Sequence, residues 1–353
     1  KIEITVENND KVSIQTLSQG EFESASRKPI LDKILKANLF PLIRQRPFNK
    51  VADPKDIPRD IFISGHNSAP LSVDLSRLIK DEKDIFQTGL NVLKKLTEGN
   101  VYLTLSSSME FDNVITQTIS GPHPSGNVGI QIHHTKPLRP GDVIWSVNAQ
   151  HVITLGKLFQ TGSYDPTVIV SIGGSGATSP ATVKTITGVN IGLLVEEQNL
   201  KVPARLISGD VLTGKTVENA DFLGFYDSSV SIINDDVKRP FLGMLSPGSS
   251  RTKYSLTKAF LSFGNKAFNF TSSQNGELRA MVPLNAWEDV LPMDIYPNPL
   301  YRAILAQDIE EMEKLGIWEC DDEDFALCSF ACPSKIDVGG VVRDGLDMME
   351  KEG

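Results

Sequence analysis

The sequence has few cysteines, no long apolar run and no excess of positive charge. Its 353 residues include three cysteines, and this small, odd number argues against the disulfide framework of a secreted protein. No apolar stretch approaches the roughly 18 residues that a membrane-spanning helix needs. The opening sequence KIEITVENND lacks the apolar core of a signal peptide. A formal net charge of −9 repels phosphate backbones, so nucleic acid is not expected as a partner. These absences favour a cytoplasmic protein.

The spacing of apolar residues divides the chain into five segments and predicts a multi-domain fold of the α/β and α+β classes. Residues 26–164 alternate strand-like runs (IFIS, VYLTL, VIWSV) with helical ones, which predicts a Rossmann-like parallel sheet. Residues 165–238 hold short strands between Gly, Ser and Asp, a pattern typical of a mixed, hairpin-rich sheet. Residues 239–300 are predicted to return as strands, and residues 301–353 to be helical. Residues 1–25 are predicted to be a strand and linker that follow an absent N-terminal, barrel-like domain.

The cysteines resemble half of an iron–sulfur motif. Cys328 and Cys332 stand four apart in ALCSFACPSK, with a proline after the second, as at the end of the ferredoxin run C-x-x-C-x-x-C-x-x-x-C-P. The first two ligands of that run would fall at Asp322 and Phe325, and Cys320 is out of register. A 4Fe-4S cluster needs four thiolates, so the chain cannot hold one alone. Two interpretations stay open here: a cluster-binding module without its metal, or a loop with three unrelated buried thiols.

Residues 209–216, GDVLTGKT, match the phosphate-loop pattern G-x-x-x-x-G-K-S/T. Phosphate binding needs small residues whose amides converge and a helix that begins at the lysine. Val211 and Leu212 occupy the loop, and the following VENADFLGFYD has poor helical character. We therefore predict a glycine-turn hairpin rather than a nucleotide-binding loop.

Three other patterns give only weak evidence of a site. GGSGATS at residues 173–179 fits neither a dinucleotide fingerprint nor a nucleophile elbow and is predicted to be a loop between strands. His133 and His134 are expected on a strand, where they would point to opposite faces, so a zinc site is not predicted. The acidic run ECDDED at residues 319–324 is predicted to be a solvated face.

Longer segments, taken in order, resemble one family over nearly the whole chain: the A subunit of the sodium-translocating NADH:quinone oxidoreductase. The segments are LIRQRPFNKV (42–51), LTEGNVYL (96–103), GPHPSGNVG (121–129), WSVNAQHVITLGKLFQTG (145–162), RLISGDVLTGKT (205–216), FNFTSSQNG (268–276), MVPLNAWEDVLPMDI (281–295) and DDEDFALCSFACPSK (321–335). The family looks related to the flavin- and NADH-binding subunit of respiratory complex I and to the C subunit of the Rnf complex. The resemblance implies a Rossmann-like domain, a β-grasp domain over residues 165–238, and a C-terminal helical domain similar to a cluster-binding module without its cluster.

Compared with those relatives, this sequence lacks both redox sites. The relatives have a G-x-G-G-A-G-F-P loop whose amides close on flavin phosphate, whereas residues 42–48 read LIRQRPF, without glycine, so side chains would fill the cofactor space. The resemblance therefore implies no flavin, no metal and no catalytic residue in this chain, with Cys320, Cys328 and Cys332 as vestigial cluster ligands.

The resemblance also implies a role. It suggests a peripheral subunit on the cytoplasmic side of the bacterial inner membrane, within a complex that oxidises NADH, reduces ubiquinone and exports sodium ions. Other subunits, including membrane subunits, would be its partners and would supply the NADH, flavin and iron–sulfur chemistry. Two alternatives remain: a free-standing flavin-dependent NADH dehydrogenase of the complex I type, and a nucleotide triphosphatase acting through residues 209–216.

The segment that replaces the flavin loop is the candidate for quinone contact. FPLIRQRPFNK, residues 40–50, is named the 40–50 segment below. A ubiquinone head needs an apolar face for stacking and donors for its two carbonyl oxygens. The candidate residues are Phe40, Arg44, Arg46, Phe48 and Lys50, with Phe48 expected to provide the face and the cations the donors. The alternative is a basic loop that docks the protein on an acidic or lipid-adjacent partner surface.

Overall fold

The computed structural model describes residues 13–198, 200, 203–235, 268–282 and 285–352. They form a mixed α/β structure with two sheets. The chain divides into two compact units: unit 1 is Lys1–His66, Leu75–Ile119 and Gly141–Pro166, and unit 2 is Asn67–Asp74, Ser120–Pro140 and Thr167–Gly353. Within the described ranges, every helix is too short or too polar to cross a membrane.

The elements follow one another along the chain in this order. The α-helices are α1 (Gln19–Ser24), α2 (Arg27–Lys36), α3 (Leu75–Asp81), α4 (Lys83–Lys94), α5 (Val128–Thr135), α6 (Ala149–Thr161), α7 (Ile191–Val195), α8 (Pro297–Ala306), α9 (Ile309–Lys314), α10 (Ala326–Ala331) and α11 (Val338–Glu352). The strands are β1 (Arg44–Arg46), β2 (Lys50–Val51), β3 (Asp60–Gly65), β4 (Val101–Leu105), β5 (Ile115–Thr118), β6 (Ile144–Asn148), β7 (Thr167–Gly173), β8 (Ala181–Ile186), β9 (Ala204–Ser208), β10 (Lys215–Val217) and β11 (Ser229–Asn234). Short 3₁₀ turns lie at Phe40–Leu42, Ile317–Glu319 and Asp322–Phe325.

Unit 1 contains a six-stranded sheet of order β2-β1-β6-β3-β4-β5. Strands β6, β3, β4 and β5 are parallel, and β1 pairs antiparallel with both β6 and β2. All five residues of β4 are buried, as expected of a parallel strand that is covered on both faces. The parallel sheet predicted from the strand–helix alternation is confirmed for these four strands.

Helices α4 and α6 of unit 1 pack closely because each carries a glycine at the crossing. A Cβ at Gly89 would lie 2.2 Å from the Val152 carbonyl oxygen, and one at Gly156 would lie 2.0 Å from that of Ile85. No larger side chain fits between backbones this close. Helix α6 ends at Gly162, which adopts the left-handed conformation with φ of 72°, as its position predicted.

Unit 2 contains a five-stranded sheet of order β10-β9-β11-β7-β8. Strand β11 is parallel to β7, and the other pairs are antiparallel, so the mixed, hairpin-rich sheet predicted for this part of the chain is confirmed. Its core consists of Val170, Ile172, Ile191, Val195, Leu206, Leu223, Val230 and Ile232. Apolar burial by short strands of this kind, with α7 against them, supplies most of the stabilisation of such a sheet.

The C-terminal tail, residues 301–352, is helical as predicted, but a segment that was expected to form one helix forms two, α8 and α9. The run LYRAILAQDIEEMEKLG breaks after α8 because Gln307 adopts the left-handed conformation, with φ of 57°. Helix α9 then begins after Asp308, whose carboxylate accepts from the Glu311 amide at 3.0 Å. Aspartate at this position satisfies an amide that has no partner within the helix, so the sequence did contain the signal for a second start.

Two predictions near α5 and α1 were wrong. His133 and His134 lie on helix α5, not on a strand; the alternation of Val128, Ile130 and Ile132 imitates a strand's period of two. The polar stretch SQGEFES, predicted as a linker, contains α1, which Ser18 and Glu21 start with a capping box.

The region of the cysteines and the segment before it also differ from expectation. The expected cysteine loop is mostly the Asp322–Phe325 turn and α10. Of residues 239–300, predicted to return as strands, the described parts contain no strand element and one isolated bridge, Asn234↔Thr271. Residues 239–267 and the strand predicted at residues 2–6 lie outside the described residues.

Candidate functional site

The 40–50 segment lies at one side of the unit 1 sheet. The Phe40–Leu42 turn leads into β1, and a short loop then connects β1 to β2 after a cis bond between Arg46 and Pro47. In the register of β1, Gln45 stands opposite Lys50 on one side and opposite Trp145 of β6 on the other. The loop of residues 46–49 is therefore presented at the end of a small hairpin.

Two of the five candidate quinone residues are buried. Phe40 is 4% exposed, and its ring meets Trp145 edge to face with centroids 5.6 Å apart. Arg46 is 0% exposed. These two side chains contribute to the interior beneath the hairpin, so the surface that a ligand meets comes from other residues of the segment.

The other three candidates lie nearer the surface. Phe48 and Arg44 are partly exposed, and Lys50 is exposed. The Arg44 guanidinium folds back along the hairpin, where its Nε donates to Asn49 Oδ1 at 3.1 Å and its Nη2 donates to the Asn49 carbonyl. Asn49 itself has a φ of 48°, a conformation that asparagine tolerates in tight turns. The loop thus combines an aromatic face with neighbouring cationic groups.

Gln45, which the sequence did not single out, connects this hairpin to the rest of unit 1. Its Oε1 accepts from Trp145 Nε1 and from the Asp53 amide, each at 3.1 Å. Its Nε2 donates to Asp56 Oδ2 at 2.9 Å. Arg27 of α2 completes the arrangement by donating to the Asp56 carbonyl at 2.5 Å and lying 5.8 Å from the Trp145 ring centre. Trp145 is 100 positions from Gln45 and Arg27 is 29 positions from Asp56, so no local pattern could have shown these two contacts.

A histidine of α6 lies next to the same segment. Burial lowers the pKa of His151 to about 4, although a hydrogen bond with the Leu42 backbone opposes the shift. The imidazole is therefore neutral at physiological pH.

The three cysteines of unit 2 are buried thiols. Cys320 Sγ contacts the Gly316 carbonyl and Cys328 Sγ the Trp287 carbonyl, each at 3.6 Å. Burial, followed by the nearby Glu288 carboxylate, raises the pKa of Cys328 to about 12. This thiol therefore stays protonated at neutral pH.

The two positions that lack cysteine in the ferredoxin register have structural roles. Phe325 is 0% exposed, and Asp322 lies 3.7 Å from the Arg343 guanidinium. Across the described residues, no group of three or more His, Cys, Asp or Glu side chains is arranged to hold a metal ion.

The acidic run at residues 319–324 is not the solvated face that we predicted. Asp321 and Asp324 are both 0% exposed. Asp324 accepts from Asn127 Nδ2 at 3.1 Å, and the Arg343 guanidinium lies 3.8 Å from Asp321. The bond between Asn127 and Asp324 connects two segments of the resemblance, residues 121–129 and 321–335, within unit 2.

The phosphate-loop match at residues 209–216 is a hairpin, as predicted. Strands β9 and β10 flank it in antiparallel pairing. The Asp210 carboxylate already accepts from the amides of Leu212, at 2.7 Å, and Thr213, at 3.1 Å. Amides that bond to this carboxylate do not converge on a phosphate. Lys215 begins a strand rather than a helix and is exposed. The loop at residues 173–179 likewise connects two antiparallel strands, β7 and β8.

Family models match two parts of the chain. One, described as the NqrA second alpha/beta domain, matches residues 25–164. The other, described as the NQRA C-terminal domain, matches residues 169–219.

Two relatives are similar to this chain along almost its whole length. A protein of Hahella chejuensis, described as the A subunit of a Na(+)-translocating NADH-quinone reductase, is 36% identical over 360 residues, with 100% of this chain and 80% of the relative covered. The protein of the same description from Saccharophagus degradans is 37% identical over 358 residues, with 99% and 80% covered. A solved NAD+-reducing NiFe hydrogenase in the H2-reduced state is 12% identical, with a TM-score of 0.43 over 63% of this chain and 52% of that one.

Proposed function

Because the chain belongs to the A-subunit family of the Na(+)-translocating NADH-quinone reductases, we propose that it is a peripheral subunit of a sodium-pumping NADH:ubiquinone reductase. The observation that carries this proposal is the identity of 36% along the whole chain to a relative of that description. In the proposal, the chain contributes to assembly and to the ubiquinone-reducing step coupled to sodium export. Its partners are the other subunits, including the membrane subunits, and it works on the cytoplasmic side of the bacterial inner membrane.

The proposal assigns no flavin and no iron–sulfur cluster to this chain. It is supported by the absence of glycine from residues 42–48 and by the presence of three cysteines where a 4Fe-4S cluster needs four thiolates. NADH, flavin and cluster chemistry then belong to other subunits, and the isolated chain is not catalytic. Unit 1 is proposed to be Rossmann-like, the sheet of unit 2 to be a β-grasp domain, and the C-terminal helices to derive from a cluster-binding module.

The proposed quinone contact is the exposed part of the 40–50 segment. Phe48 offers a flat apolar face for the quinone ring, and Lys50 and Arg44 offer donors for its carbonyl oxygens. Phe40 and Arg46 act beneath this surface, since both are buried. The domain boundaries at residues 26–164, 165–238, 239–300 and 301–353 remain part of the proposal.

The experiment replaces Phe48 with Ala, and separately Lys50 with Gln, in the assembled complex. Quinone contact predicts an apparent KM for ubiquinone raised about tenfold for Phe48→Ala, equivalent to about 1.4 kcal/mol of lost binding, with a normal content of this chain in the complex. A docking role predicts instead that Lys50→Gln loses this chain from the complex at moderate salt, because exposed charge contacts are screened. Arg46→Gln is unsuitable, since it would perturb the interior. Unchanged kinetics and unchanged assembly in both variants would contradict the proposed contact.

A further inference from the structure

We infer that Gln45 is a positioning residue that holds the loop of residues 46–49 in the geometry that ubiquinone meets. The inference rests on the proposed function, because it concerns the same segment. Gln45 is itself partly exposed, as Arg44 and Phe48 are, but the role inferred here comes from its carboxamide, which is bonded within unit 1. Its side chain is turned to three groups of unit 1, the indole of Trp145, the amide of Asp53 and the carboxylate of Asp56.

The position of these groups explains how one side chain fixes both ends of the loop. Gln45 precedes the loop on β1 and stands opposite Lys50, which follows the loop on β2. Asp53 and Asp56 come just after β2, and the Gln45 carboxamide bonds to both. The strand that enters the loop and the chain that leaves it are thus joined through one carboxamide. The Arg44 bonds to Asn49 close the loop from within.

The polarity of the network is fixed by its donors. Trp145 Nε1 and the Asp53 amide can only donate, so Gln45 must present its oxygen to them. Its amino group then necessarily points to Asp56, which accepts. A carboxylate at position 45 would still accept from Trp145 and Asp53 but would face the Asp56 carboxylate at hydrogen-bond distance. This fixed direction makes the network testable by exchanging donor and acceptor.

A loop that already has its ligand-binding conformation loses less conformational entropy when the ligand binds. Disrupting the network should therefore weaken quinone binding while leaving the later chemistry, in other subunits, at its normal rate. The expected signature is a raised apparent KM for ubiquinone with an unchanged kcat and an unchanged KM for NADH.

The test uses four variants of this chain in the assembled complex. Gln45→Glu places two carboxylates together and should raise the apparent KM for ubiquinone about fivefold. Asp56→Asn alone should leave the apparent KM for ubiquinone close to the wild-type value, because the side-chain oxygen of the new asparagine still accepts from Gln45. The double variant Gln45→Glu with Asp56→Asn restores a donor opposite an acceptor and should return the KM to within about twofold of wild type. Gln160→Glu is the control, since Gln160 is an exposed glutamine of the same unit whose amide donates to Thr88 Oγ1 at 2.9 Å, and it should have no effect.

The outcomes separate the inference from the proposed function when Phe48→Ala is measured beside them. If Phe48→Ala raises the KM and Gln45→Glu does not, the inference fails and the quinone contact stands. If neither changes the KM, both fail. If Gln45→Glu lowers the content of this chain in the complex, the double variant decides: recovery of content with a normal KM supports positioning, and failure to recover either one overturns it.

Discussion

Single residues of this chain are constrained where two segments approach closely, and Gly129 is one such position. A Cβ there would lie 1.9 Å from Asp324 Oδ2, and that carboxylate is buried and accepts from Asn127. Alanine favours a helix by about 1 kcal/mol over glycine, but overpacking costs about 1–3 kcal/mol. Because the gain in helix propensity offsets part of that cost, we expect Gly129→Ala to lower the free energy of unfolding by about 1–2 kcal/mol in urea denaturation. Gly20→Ala in α1 is the matched control, because no atom lies within 4 Å of its Cβ, and it should be neutral or stabilising. Equal effects of the two would contradict the packing argument.

Also at the scale of single residues, the buried thiol of Cys328 makes the free energy of unfolding depend on pH. Its pKa rises from 9.0 to about 12 on burial, so the folded state keeps a proton that the unfolded state releases. The stability from this group is complete below about pH 9 and is lost as pH rises toward 12, by about 1.4 kcal/mol per pH unit. Cys328→Ala should therefore show a shallower decline than wild type between about pH 9 and 10.5 in urea denaturation. Identical slopes for the two proteins would show that the thiol does not titrate as its burial requires.

At the scale of elements, variants in the hairpin of β9 and β10 can test whether residues 209–216 form a turn or a phosphate loop. The Asp210 carboxylate accepts from two amides and from the Thr213 hydroxyl, the last at 2.6 Å. Asp210→Ala should lower the free energy of unfolding by about 1–2 kcal/mol, since those donors lose their acceptor. Lys215→Ala, on the exposed strand, should change it by less than about 0.5 kcal/mol. Magnesium-dependent ATP binding that Lys215→Ala abolishes would revive the phosphate-loop interpretation.

The elements also show what local pattern can predict. Strands β3, β4 and β6 and helices α4 and α6 were predictable because apolar spacing and a terminal glycine are local signals. Helix α5 was not, since its apolar residues alternate as those of a strand do, and the side chain of Asn127 just before it bonds to residues almost 200 positions away. In the 40–50 segment, the residue types were visible but their exposure was not. Burial of Phe40 and Arg46, and the bond between Gln45 and Trp145, depend on tertiary packing.

At the scale of the whole molecule, sequence order and spatial grouping differ. Residues 26–164 are proposed as one domain, and within that stretch the compact grouping of the fold assigns residues 67–74 and 120–140 to unit 2. Contacts over long sequence separations decide such a grouping, and no window of local pattern records them. Buried Asp324 illustrates the point, because it joins residues 121–129 to residues 321–335 within unit 2.

The whole chain should also fail to assemble an iron–sulfur cluster. It has three cysteines, the side chain at one missing ligand position, Phe325, is fully buried, and a carboxylate and a phenyl ring do not replace thiolates on iron. After anaerobic reconstitution with iron and sulfide, we expect substoichiometric iron and acid-labile sulfide. Cys332→Ser provides the control and should give the same background as wild type. Stoichiometric iron and sulfide in the wild-type chain, lost in Cys332→Ser, would show that Cys332 is a working ligand and that the cluster-binding module has kept its metal.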